Sequence, residues 1–323
     1  MPGVNSLTRD IVKEIVTDRR FKLVPVTQNY CLRKGAGAAV CESRGKFAEE
    51  IRMTDDPDEH AKSAGATPGG KGLQIDRYEL KLAREVERLL FPKNSPVCTW
   101  NCTGVKNRMA GVLGGDYFDF IALPDSGQAI FIGDVTGHGL HASVVMSLIY
   151  GFIHRAMLGT FALRELVEQV NNFLFHFAER SQTIDQYFSS TLFIGVIDPK
   201  TLEMEYVNAG HVPALVRSNE SIHELTPTAQ PLGYFKISEI SARSFRLEKG
   251  DRLLLYTDGI VEAANASGIM FGSERLKRLL LESESSHLEF LEQLFGSLRD
   301  FGISDPPEDD CTALVLDLHE TIP

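Results

Sequence analysis

Five aspartates stand where apolar runs begin or end. Asp116 opens DYFDF after two glycines, Asp134 closes IFIGD, Asp258 follows LLLYT, and Asp309 and Asp310 precede CTALVL. Read as strands, those runs put four acidic stations at strand ends, three of them beside glycine. Strand ends on one edge of a layered fold can converge in space. Two carboxylates about 4 Å apart repel by roughly 4 kcal/mol at an effective dielectric of 20. Such a cluster either holds protons at raised pKa or binds hard divalent cations. Oxygen-only ligation favours Mg2+ or Mn2+ over zinc. The glycines of GDVTGHG admit close backbone approach, so the Val135 carbonyl joins Asp116, Asp134, Asp258, Asp309 and Asp310 as a candidate ligand. The plain alternative is that each aspartate caps a turn. Four stations of the same kind favour the metal site.

A pair of cations held by shared carboxylates activates a water and clamps the oxygens of a phosphoryl group, with no serine or cysteine nucleophile. The chain has neither a CxxxxxR loop nor a GxSxG elbow. GDVTGHG also lacks the lysine of GxxxxGK[ST] and the spacing of GxGxxG. The chemistry indicated is metal-assisted hydrolysis.

The elements that must position these groups follow from periodicity. Strands are expected at Tyr117–Leu123 and Gln128–Val135, joined by the hairpin signal PDSG, and again at Phe188–Ile197, Met204–Asn208, Ala214–Arg217, Ala242–Leu247, Arg252–Tyr256 and Thr312–Leu318. Helices are expected at 140–157, 161–180, 272–282 and 286–301. In the first of these, Val144, Leu148 and Phe152 lie on one line and Val145, Ile149 and Ile153 on the next. Paired strands interleaved with paired helices, without regular βαβ alternation, predict an α+β fold: an αββα sandwich of two antiparallel sheets flanked by helix pairs.

Residues 74–91 carry Ile75, Tyr78, Leu82, Val86 and Leu89 at helical spacing before Pro92. The stripe suits either a helix packed on its own domain or a dimerising signalling helix. Before it, SAGATPGGKG reads as a linker, and residues 1–72 as a variable region with little functional signal. A coupling helix at 73–95 and a catalytic domain at 96–320 complete the expected organisation.

A net charge of −11, from 44 acidic against 33 basic residues, argues against a nucleic-acid partner. No run approaches the roughly 18 apolar residues of a membrane span, and five irregularly spaced cysteines make no disulfide framework. A cytoplasmic, reduced location is expected. Cys98 and Cys102, with no second Cys/His pair nearby, read as small hydrophobes rather than zinc ligands.

The ordered series LARE..E.LLFP, GGDYFDF, IGDVTGHG, VNAGHVPALV, PLGYF, LLLYTDGIVEA and DDCTALVL resembles the metal-dependent (PPM-type) serine/threonine phosphatases. It is nearest to the bacterial branch of sporulation stage II protein E and the sigma-B regulator phosphatases. The resemblance spans residues 74 to 318. It implies a binuclear Mn2+/Mg2+ centre with Asp134 bridging, the Val135 carbonyl, Asp116, Asp258 and one of Asp309 or Asp310 as ligands, and the first of that pair preferred. Asp119 would be a second acid, bound directly or through water. Helix 140–157 would be a switch whose position controls metal binding, and 74–91 the coupler that moves it. The implied substrate is phosphoserine or phosphothreonine on a small anti-anti-sigma-type regulator.

Within the loop, His138 is a candidate to protonate the departing oxygen or to contact phosphate, its imidazole titrating near neutrality; a solvent-facing loop residue is the alternative. His211 is expected to fix a turn by hydrogen bonding, and His154 and His176 to be ordinary helix residues. Three rival readings stand beside the protein-phosphatase one, the first a small-molecule phosphatase with the same metal chemistry. A phosphatase-like domain without catalysis would bind a partner, but all four acidic stations are present. GGDYF also resembles the GGDEF signature of nucleotide cyclases, although Tyr117 replaces the second acid and YTDG and DDCT go unexplained.

Overall fold

The structure, a computed structural model, describes residues 77–92, 100–123, 127–159, 162–181, 188–236 and 239–319. All of them fall in the unit Ser43–Pro323. The expected N-terminal region, Ile75, Cys98 and most of the PDSG turn lie outside the described residues.

The chain runs α1 (Arg77–Leu90), β1 (Asn101–Arg108), β2 (Tyr117–Ala122), β3 (Gln128–Val135), α2 (Leu140–Met157), α3 (Leu163–Ser181), β4 (Ser190–Ile197), β5 (Glu203–Ala209), β6 (Ala214–Ser218), β7 (Ser221–Leu225), β8 (Arg243–Arg246), β9 (Arg252–Tyr256), α4 (Asp258–Val261), α5 (Ser273–Glu282), α6 (His287–Phe301) and β10 (Cys311–Leu318). One sheet has the order β1-β10-β9-β6-β7 and the other β2-β3-β4-β5-β8, and every named pairing is antiparallel. The expected sandwich is what forms.

Three cores define its layers. Phe118, Phe120, Ile130, Ile132, Leu255, Leu314 and their neighbours fill the space between the sheets. Tyr117, Phe131, Val145, Ile149, Ile153 and Leu166 join one sheet to α2 and α3. Leu254, Tyr256, Leu276, Phe290 and Leu294 join the other to α5 and α6. Each strand alternates between layers because successive side chains point to opposite faces. The same geometry sorts α2: its Val145, Ile149 and Ile153 line is buried, and Val144 and Leu148 are exposed.

β7 and the single turn α4 are not evident from the sequence. In β7, SIHEL is an edge strand with one buried residue, so burial imposes little apolar pattern on it. α6 announces itself fully. Ser286 accepts from the Glu289 amide, the Glu289 carboxylate accepts from the Ser286 amide at 3.0 Å, and Gly302 ends the helix at φ 94°.

Candidate active site

Strand parity brings the acidic stations together. Asp116 shares the inter-sheet face of β2 with Phe118 and Phe120, and Asp134 that of β3 with Ile130 and Ile132. Asp310 and Thr312 share parity with Leu314 on β10, and Thr257 with Leu255 on β9. All lie where their strands end, so side chains that would enter the apolar core farther along instead meet at its open rim. Asp258 follows as the first residue of α4.

A cleft of about 310 Å³ opens there, lined by Asp134, Gly137, His138, Gly259, Glu262 and Asp309 among others. The carboxylates feel one another. Burial first, and then Asp258, Asp309 and Asp310, push Asp134 up to about 8. Burial first, and then Asp134 and Asp310, push Asp116 far above the carboxylate range. Asp258 is raised by burial and by Asp309.

Asp116 is aimed by a hydroxyl bracket. Thr257 and Thr312 donate to its Oδ2 at 3.0 and 2.5 Å, the Thr312 amide donates to Thr257 Oγ1, and Asn107 donates to Thr312 Oγ1 at 2.6 Å. One oxygen of this buried carboxylate is fixed by both hydroxyls. The two consecutive aspartates divide their work. Asp310 is buried and accepts from the amides of Ala110 at 2.8 Å and Gly115 at 3.0 Å, anchoring the loop before β2. Asp309 is exposed and lines the cleft.

Glycine makes the close approach possible. A Cβ on Gly115 would stand 2.7 Å from the Val135 carbonyl oxygen, 2.8 Å from Asp134 Oδ1 and 3.2 Å from the Gly137 carbonyl oxygen. A Cβ on Gly259 would stand 2.1 Å from the Asp310 carbonyl oxygen. The donors around this cradle are hard oxygens, a set that suits Mg2+ or Mn2+. Among the described residues no three acidic, imidazole or thiol side chains close on one point. The mutual repulsion of the carboxylates is what a divalent cation bound among them would offset.

Asp119 is placed elsewhere, which corrects its reading as a second acid of the cluster. It lies three residues beyond Asp116, so it occupies the opposite face of β2. There its Oδ2 accepts from the Tyr150 hydroxyl at 2.5 Å and stands 2.7 Å from His154 Nε2. His154, expected to be an ordinary helix residue, thus ties α2 to β2. The Tyr150 hydroxyl also meets the Leu90 carbonyl at the end of α1.

His211 does more than fix a turn. It is 4% exposed, with Nε2 3.0 Å from the Tyr256 carbonyl and Nδ1 2.8 Å from Thr191 Oγ1. A carbonyl only accepts, so Nε2 carries the proton and Nδ1 accepts from Thr191, whose Oγ1 accepts from the Asp134 amide at 3.3 Å. This chain of bonds crosses from the strand before Asp258 to the strand bearing Asp134.

Glu87 is a further surprise. It is buried, its Oε1 accepts from the Gly114 amide at 3.2 Å, and burial raises its pKa. α1 therefore turns a carboxylate toward the loop before Asp116. It leaves Leu82, Val86 and Leu89 54%, 56% and 66% exposed.

The family model for stage II sporulation protein E matches residues 124–319, which include Asp134, Asp258, Asp309 and Asp310. The chain belongs to that family. Among curated relatives, Protein IcfG of Synechocystis is 28% identical over 241 residues, which cover 68% of this chain and 38% of that protein. Phosphoserine phosphatase RsbU of Bacillus subtilis is 24% identical over 252 residues, covering 76% of this chain and 72% of RsbU. The solved RsbU and RsbW domains of Rv1364c from Mycobacterium tuberculosis superpose with a TM-score of 0.60 at 26% identity, covering 71% of this chain and 62% of that one. Asp116 and the α1 contacts precede the matched SpoIIE segment, so their placement rests on the fold.

Proposed function

We propose that this SpoIIE-family chain is a metal-dependent protein phosphatase acting on phosphoserine or phosphothreonine. The observation that carries the reading is the cleft in which Asp134, raised to about 8, faces Asp258, Asp309 and Asp310 across a glycine cradle of oxygen donors. Asp134, the Val135 carbonyl, Asp116, Asp258 and Asp309 would hold a pair of Mn2+ or Mg2+ ions, with Asp310 as their buttress. Cations bound there supply Lewis acidity toward a phosphoryl oxygen and toward water. The chain's own part is orientation. Thr257 and Thr312 aim Asp116, the His211 bridge holds the strands bearing Asp134 and Asp258, and His138 stands at the cleft rim to pass a proton to the departing serine oxygen.

The substrate we assign is a phosphorylated regulator of the anti-anti-sigma type, met in the cytoplasm. The family resemblance and the RsbU relative support it. Among the described residues no helix is long and apolar enough to cross a membrane. Metal withdrawal tests the reading: hydrolysis of p-nitrophenyl phosphate stops in EDTA and returns with Mn2+ or Mg2+.

We also propose that α1 pairs with a second copy of the chain. It faces its own domain with Glu87 and turns Leu82, Val86 and Leu89 to solvent, the reverse of a helix packed only on its domain. Sedimentation equilibrium is expected to give a dimer for the full chain and a monomer for Leu82→Glu/Val86→Glu. A dimer unchanged by the double substitution would remove this assignment.

A further inference from the structure

Behind Asp134 two buried hydroxyls meet. Tyr117 Oη and Ser190 Oγ are 2.9 Å apart, in residues 0% and 1% exposed, so their protons are used within the protein. Two carbonyls are in reach of them. Ser190 Oγ stands 2.8 Å from that of Asp134 and 2.9 Å from that of Thr191, and Tyr117 Oη stands 3.0 Å from that of Thr191. Each hydroxyl carries one proton. Tyr117 serves the Thr191 carbonyl, which leaves the Ser190 proton for Asp134. The first glycine of GDVTGHG makes room for this pair: a Cβ on Gly133 would stand 2.3 Å from Tyr117 Cζ and 2.4 Å from its Oη.

We infer that Tyr117 and Ser190 are positioning residues for the metal site, holding the Asp134–Val135 peptide so that the Asp134 carboxylate and the Val135 carbonyl face one cradle. The inference rests on the metal-centre reading of that cleft. The carbonyl of this peptide accepts from Ser190, and its N–H, on Val135, donates to the Gly115 carbonyl at 3.2 Å. Both edges of the plane are thereby fixed. At the next peptide the Thr136 amide donates to the Ser189 carbonyl at 2.9 Å. Carbonyl and N–H point opposite ways across a trans peptide. The Val135 oxygen therefore faces away from Ser189 and toward Gly115, where a Cβ would stand 2.7 Å from it and 2.8 Å from Asp134 Oδ1. Loss of the Ser190 donor frees the Asp134–Val135 plane to rotate, which turns both oxygen donors off the cradle together. Small hard cations tolerate little misplacement of their oxygens.

Isothermal titration calorimetry of the full chain with Mn2+, well below its melting transition, tests this beside amide hydrogen exchange in EDTA. Ser190→Ala is expected to bind Mn2+ roughly three- to tenfold more weakly, the factor that one neutral hydrogen bond sustains. Its Val135 and Thr136 amides should exchange faster by a similar factor. Tyr117→Phe keeps the ring, and is expected to weaken binding by less and to add nothing to Ser190→Ala in the double variant. A purely structural role would lower the melting temperature and leave the Mn2+ affinity of the folded chain unchanged. Wild-type affinity in Ser190→Ala, or unaltered exchange at those two amides, overturns the role of Ser190. Additive effects of the two substitutions overturn that of Tyr117. A wild type that binds no Mn2+ removes the metal-centre reading, and the exchange comparison alone then decides whether the hydroxyls hold the peptide.

Discussion

Asp134→Asn is expected to raise the melting temperature of the metal-free protein while abolishing its phosphatase turnover. In the folded chain burial, and then Asp258, Asp309 and Asp310, push Asp134 up to about 8 from the 3.8 of an ordinary aspartate. The folded state therefore binds more protons than the unfolded state between those values. Stability from this group is full below about pH 4 and is lost as pH rises toward 8. Every tenfold difference in proton affinity between the two states corresponds to about 1.4 kcal/mol, so at pH 8 the ionised carboxylate is a substantial burden on the metal-free fold. Asparagine keeps the shape and removes the charge. In EDTA at pH 8 the variant should melt several degrees higher than wild type, and the gap should close toward pH 4.5. With Mn2+ present the order should reverse, since a cation that binds only the folded wild type stabilises it by mass action. Turnover should fall by at least about 100-fold, the lower end of what losing one principal electrostatic group costs an active site. Scanning calorimetry with and without EDTA gives the thermal result. A variant less stable than wild type in EDTA at pH 8 would mean that the carboxylates are not in mutual repulsion.

Acidification should strike the fold at His211. Burial lowers its pKa to about 4 from 6.5, so the unfolded state binds the proton first. The stability this imidazole supports is complete above about pH 6.5 and is lost as pH falls toward 4. The loss amounts to about 3 kcal/mol over that window. Protonating Nδ1 removes the acceptor for the Thr191 hydroxyl and places a charge in a buried site, while Nε2 keeps its donation to the Tyr256 carbonyl. The raised carboxylates act in the opposite direction over part of this range, so the comparison belongs between Asp134→Asn and Asp134→Asn/His211→Asn. Urea unfolding at pH 7, 5.5 and 4 should show the double variant weaker at neutral pH, with a shallower decline in acid. Equal slopes in the two proteins would mean that His211 takes its proton without cost to the fold.

The αββα architecture, and the placement of Asp116, Asp134, Asp258 and Asp309 at strand ends, were legible because strand period and strand ends are local signals. What sequence reasoning missed depends on contacts between distant segments. Thr257 and Thr312 sit inside YTDG and DDCT, where the aspartates draw attention, yet both hydroxyls serve Asp116 from far along the chain. Glu87 belongs to a pattern that reads as the polar face of an amphipathic helix. Nothing local tells that α1 would turn Glu87 inward and expose Leu82, Val86 and Leu89. Asp119 could have been placed from the residues alone. Its spacing of three from Asp116 on a strand assigns it to the opposite face, and only the family resemblance suggested otherwise. The roles of Asp309 and Asp310 required the amides of Ala110 and Gly115, which no spacing rule ties to β10.

Hydrolysis of p-nitrophenyl phosphate by the purified chain, in Mn2+ and in EDTA, beside Asp134→Asn, bears most directly on whether the carboxylate cleft is a metal-dependent phosphatase site. The expected result is manganese-dependent turnover that EDTA abolishes reversibly and the substitution removes. Turnover that persists in EDTA, or that survives in Asp134→Asn at the wild-type rate, would contradict metal-assisted hydrolysis at this cleft.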